Sequence, residues 1–180
     1  MPDPAGWTVT PNFPQLVFGT LVVSFQRFVL PAAGLPEGDP PQSLGALPVA
    51  MVERRFVLPV DADEAFWIGL WDEAGMALRL RLTPVPGDGY GVKEQFLLPH
   101  ALTIPGWRRE GEAGLLPFTR TGPAASVSLA RLLLIAEVGH YAPAGATVEL
   151  VDYPTYATLS GQPAPDKLDP EAGYKGYLLP

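Results

Sequence analysis

Short hydrophobic runs alternate along this chain with clusters of proline, glycine and acidic residues, and within the runs the apolar positions recur every second residue. Residues Leu16 to Leu30, dominated by Val, Leu and Phe, predict a strand pair or one long bent strand, because β-branched and aromatic side chains fit a pleated, largely buried surface. Val49 to Val60 return to the same chemistry. Ala65 to Trp71 and Met76 to Leu82 flank Asp72-Glu73-Ala74-Gly75 and predict a β-hairpin closed by a four-residue turn. Alternation then assigns its faces. Phe66, Ile68 and Leu70 with Leu78, Leu80 and Leu82 point inward, leaving Trp67 and Trp71 beside Arg79 and Arg81 on the outside.

A second hairpin is expected around Pro84 to Gly91, followed by a strand from Val92 to Leu98, and a last strand from Ala146 to Tyr153. Leu115 to Phe118 form a short apolar patch able to act as a partner strand. Residues 126–138 fit two descriptions: Ser126 can cap a helix that Gly139 would end, but a continuous apolar run fits a buried strand equally. The β-rich surroundings favour the strand. The fold expected is all-β, an antiparallel β-sandwich or jelly-roll-like domain over residues 16–159 with at most one helix.

Proline shapes the rest. Arg27-Phe28-Val29-Leu30-Pro31 recurs as Arg55-Phe56-Val57-Leu58-Pro59, with weaker echoes ending at Pro99 and Pro180. The spacings are irregular, so these are read as strands stopped by a residue that cannot donate a ladder hydrogen bond. Residues 31–48 hold five prolines and form a long loop, of a length that is uncommon unless functional or pinned by a partner. Residues 1–15 and 160–180 read as extended arms, with Trp7 and Phe13 as apolar anchors of the first and Tyr174 and Tyr177 of the second.

Composition sharpens this picture. With 22 prolines and 19 glycines in 180 residues the chain would suggest disorder, but 47% of it is hydrophobic and only 17% charged, the opposite of a disordered segment. The net charge of -7 and the scattered bases leave no electrostatic footprint for nucleic acid, and no apolar run approaches the length of a membrane helix. Met1 to Gly6 lack the basic and apolar regions of a signal peptide, so classical secretion is not expected and the chain is read as soluble. With no cysteine the compartment stays open.

Catalytic chemistry finds few parts. The two histidines, His100 and His140, lie forty residues apart and in no metal-ligand spacing. Asp61-Ala62-Asp63-Glu64 and Asp72-Glu73 are the only acidic clusters, and both are read as solvated turns; a calcium loop would need a longer pattern of oxygen ligands. None of the five serines lies in a nucleophile elbow, and the glycines around Gly89 form no phosphate loop. The expectation is a non-enzymatic protein without metal or cofactor.

Binding has better candidates. Tryptophan and arginine are the residues enriched at protein interfaces, which marks Trp67, Trp71, Arg79 and Arg81. Extended arms can add to a neighbour's sheet edge. The function expected is therefore a structural subunit of a symmetric assembly, a virus or phage particle component such as a capsid, decoration or tail protein, whose arms lock onto copies of itself or other subunits. The alternative is a carbohydrate-binding sandwich with Trp67 and Trp71 as a flat platform for a glycan.

Overall fold

A computed structural model describes residues 6–11, 15–31, 35, 39–72, 78–86, 94–98, 102–107, 114–121, 128–169 and 171. Its strands are β1 (Trp7–Val9), β2 (Leu16–Phe18), β3 (Leu21–Val29), β4 (Ala50–Val52), β5 (Arg55–Pro59), β6 (Glu64–Asp72), β7 (Leu78–Pro86), β8 (Glu94–Leu98), β9 (Leu102–Ile104), β10 (Leu129–Val138) and β11 (Ala144–Val151); one helix, α1 (Tyr153–Ser160), follows. They form a five-stranded sheet in the order β1-β2-β3-β6-β9 and a six-stranded sheet in the order β4-β5-β11-β10-β7-β8. The two sheets pack as a sandwich.

Period two fixes the core. Leu21, Val23 and Phe25 of β3 and Phe66, Ile68 and Leu70 of β6 meet Phe56, Leu58, Leu80, Leu82, Leu132, Leu134, Val148 and Leu150 from the other sheet in one buried cluster. Of residues 126–138, Leu129–Val138 form a strand, since β10 pairs antiparallel with both β11 and β7 at the centre of its sheet, while residues 126–127 lie outside the described residues. An amphipathic helix would bury one face only; here both ladders and the inner face are occupied. One pairing departs from the antiparallel expectation. β5 and β11 run parallel, which their long separation in sequence permits.

The expected hairpin of residues 65–82 does not form. β6 pairs with β3 and β9, whereas β7 pairs with β10 and β8 in the opposite sheet. Alternation correctly gave the inward faces but could not name the partner, because five residues between the strands are enough to step over the roughly 10 Å between packed sheets. The β7 to β8 pairing is as expected. Within the N-terminal segment, β1 pairs with β2, and Trp7 is buried, stacked on Phe18 at 5.3 Å and donating its indole N–H to the Ala144 carbonyl at 3.2 Å.

The described residues of the 31–48 loop likewise pack on their own domain. Beyond the end of β2, residues 44–47 take over the free edge of β3, with Leu44 N–H donating to Arg27 O, Arg27 N–H to Gly45 O and Leu47 N–H to Phe25 O. Leu35 and Trp67 join Phe28 and Ala65 in a second apolar cluster on the outer face of the five-stranded sheet. Helix α1 covers part of the other outer face, where Tyr156 packs on Ala50 and Val57. Its start is capped by Asp152, whose carboxylate accepts from Thr155 N–H at 2.8 Å, and its end by Gly161 at φ 69. No helix among the described residues is long and apolar enough to cross a membrane.

Candidate functional site

Two places stand out, one at an end of the core and one on an outer face. The inward stripe of β3 runs Leu21, Val23, Phe25 and then Arg27; that of β6 runs Leu70, Ile68, Phe66 and then Glu64. The core therefore ends in an ion pair. Arg27 Nη1 donates to Glu64 Oε1 at 3.2 Å, to the Tyr153 hydroxyl oxygen at 3.2 Å and to the Asp166 carbonyl at 2.7 Å. The Tyr153 hydroxyl donates to Glu64 Oε1, and Asp61 N–H donates to Glu64 Oε2 at 3.0 Å. Glu64 is 1% exposed, so this carboxylate is not the solvated turn acid expected. Burial, and next the hydrogen bond to Glu64, push the Tyr153 phenol well above its usual range.

Chemically this cluster is a closed plug. It joins the five-stranded sheet, the first turn of α1 and the segment after the helix, and Lys167 adds an ion pair with Asp61 at 3.2 Å. Glu64 and the Tyr153 hydroxyl are turned to partners within the cluster, while Lys167 lies largely in solvent. Among the described residues no group of histidines, aspartates and glutamates is placed to hold a metal ion.

The second place is the outer face of the five-stranded sheet. One half of it is roofed: Trp67, 7% exposed, donates its indole N–H to the Pro41 carbonyl at 2.9 Å, and Ser43 donates to the Gln26 side chain at 2.7 Å. The other half is open. There a cross-strand row runs Thr8, Val17, Val22, Trp71 over four strands, and the next row holds Ser24, Gly69 and Thr103. Trp71 closes the first row and is 56% exposed. These seven positions carry no charge.

Gly69 keeps the boundary between the halves tight. A Cβ there would lie 2.7 Å from Ser24 Oγ and 3.2 Å from Trp67 Cζ3, so the indole of Trp67 leans across it. The paired tryptophan platform thus fails. Both indoles share a face, as alternation requires, but Trp67 lies under the loop while Trp71 is exposed.

The arginines are elsewhere. Arg79 and Arg81 belong to β7 and point outward from the opposite sheet, where Arg79 faces Glu137 at 3.6 Å. His140 sits exposed in the turn before β11, next to Tyr141, whose exposed ring meets Phe18 edge-on at 6.1 Å. Phe13, His100, Tyr174 and Tyr177 lie outside the described residues. The plug was missed because its members are far apart in sequence, Arg27 and Glu64 by 37 positions and Glu64 and Tyr153 by 89. No protein-family model, curated protein or solved structure matches this chain.

Proposed function

We propose that this protein is a non-enzymatic structural subunit that packs against copies of itself in a symmetric assembly, of the kind built in virus and phage particles. The interface in this reading is the open half of the outer face of the five-stranded sheet. The observation that carries it is Trp71, half exposed at the end of an uncharged cross-strand row whose other half-face the chain has covered for itself. Large exposed apolar side chains on such a face favour a protein partner.

Electrostatics supports a second copy as that partner. Chains carrying -7 each repel one another, so like copies meet at least cost where no charge must be buried. A sheet face can also pack on itself about a two-fold axis, each row crossing its own image. Light scattering over a concentration series, comparing the wild type with Trp71→Arg, tests this: association that depends on Trp71 supports the reading, and a monomer at every concentration overturns it.

A further inference from the structure

The outer face of the six-stranded sheet carries charge of the opposite sign to the chain as a whole. Alternation turns Arg79 and Arg81 of β7, Arg131 and Glu137 of β10 and Glu149 of β11 toward it, with Arg55 of β5 beside Glu149. Its acids are already matched, Glu137 by Arg79 at 3.6 Å and Glu149 by Arg55 at 2.9 Å. Among the described residues neither Arg81 nor Arg131 has an ion-pair partner. These two arginines are surplus positive charge, in a chain with 19 acids against 12 bases.

Uncharged side chains lie between them. Thr83, Leu133 and Thr147 form one cross-strand row, and in the next Ile135 stands between Arg81 and Gly145. Leu133 and Ile135 are only half-buried and belong to none of the apolar clusters. The cluster beneath α1 is built on β4, β5 and the end of β11, to one side of them. Trp71 belongs to the other sheet, so this surface is separate from the contact proposed above.

We propose that this face docks an extended acidic peptide segment of a partner protein, with one carboxylate at Arg81, one at Arg131 and an apolar side chain between them against Leu133 and Ile135. Arg81 lies opposite Ile135, four positions from Arg131 along β10, so the two side chains start roughly 14 Å apart. In an extended peptide, residues i and i+4 share a face about 13 Å apart, with i+2 between them. A charge-dense polyanion fits less well, because it would lay unmatched charge over two aliphatic side chains. The surplus arginines also steer an acidic partner to this face, since the rest of an acidic surface repels it.

Fluorescence anisotropy with short dye-labelled peptides tests the proposal. Each peptide has a central leucine, threonine elsewhere and two aspartates separated by one, three or five residues; a further peptide has asparagine in place of both aspartates. The expected result is tightest binding at the three-residue separation, weakened by salt. Arg81→Gln and Arg131→Gln, with folding checked by circular dichroism, should each weaken it about threefold. Lys167→Gln, which removes a positive charge elsewhere on the surface, should leave it unchanged. Equal binding of the asparagine peptide, binding indifferent to both arginines, or no saturation up to about 1 mM peptide overturns the proposal. Tighter binding of a sulfated polysaccharide through the same arginines overturns it in favour of a polyanion. Self-association that both arginine variants weaken, with no peptide bound, overturns it in favour of a second copy.

Discussion

Arg27 and Glu64, with Nη1 and Oε1 3.2 Å apart, occupy the inward positions at which the apolar stripes of two paired strands give way to charge. A desolvated carboxylate needs its counter-charge, and here it also has the Tyr153 hydroxyl and the Asp61 N–H. Removing one partner leaves the other charge buried and uncompensated. Arg27→Met is therefore expected to destabilise the fold by about 3–5 kcal/mol in urea denaturation. Arg27→Met with Glu64→Leu should recover much of that loss, while Tyr153 and Asp61 still lack their acceptor. With Glu64→Leu alone completing a double-mutant cycle, losses that simply add would show that the charges do not interact.

Tyr153 gives this plug a dependence on alkaline pH. The folded protein raises its phenol above the ordinary value of 10.0, so the stabilising, protonated form is fully present below pH 10 in both states. Above pH 10 the unfolded chain loses the proton first, and stability falls as pH rises toward the raised value. The slope for one such group is about 1.4 kcal/mol per pH unit. Tyr156 is shifted in the same direction by burial and contributes its own slope. Tyr153→Phe should therefore lose stability less steeply than the wild type between pH 10 and about pH 11, by about one proton's worth. Parallel curves would contradict the placement of the phenol.

Gly106 marks where two segments approach too closely for a side chain. A Cβ would lie 2.4 Å from the Leu116 carbonyl oxygen and 3.0 Å from Leu35 Cδ1. The neighbouring Trp107 and Leu116 exchange two backbone hydrogen bonds, at 2.9 and 2.8 Å, which resist any widening. Gly106→Ala should cost about 1–3 kcal/mol through overpacking. A melting temperature equal to that of the wild type would argue against this approach of the chains.

Trp67 and Trp71 share a strand, a face and a residue type, yet should behave oppositely. Trp67→Ala empties a buried position under the 31–48 loop and is expected to cost about 3–5 kcal/mol. Trp71→Ala removes a half-exposed side chain and should stay within about 0.5 kcal/mol. Thermal or urea denaturation of the two variants distinguishes them directly, and similar losses for both would mean that the loop does not cover one of them.

The same pair shows how far the sequence could be read. Alternation placed both tryptophans on one face and identified Phe66, Ile68, Leu70, Leu80 and Leu82 as core, since a strand's period is a local property of the chain. Which segment lies over that face is a long-range matter. Pro41 covers Trp67 from 26 positions away, and nothing within the strand announces it. The choice of partner for β6 is similar, because a turn sequence that closes a hairpin can also carry a chain between sheets. Asp61-Ala62-Asp63-Glu64 looked solvated for the same reason. Asp63 is indeed exposed, but Glu64 falls on the inward side once β6 begins, and its partners come from β3 and α1.

The proposed function turns on whether copies of this chain meet through the uncharged half-face around Trp71. Sedimentation equilibrium of the wild type and of Trp71→Arg, at matched concentrations and with folding checked by circular dichroism, measures this most directly. The predicted result is concentration-dependent association of the wild type and at least a tenfold weaker association constant for the folded variant. Association of equal strength in both proteins, or a wild type that stays monomeric throughout, would contradict it.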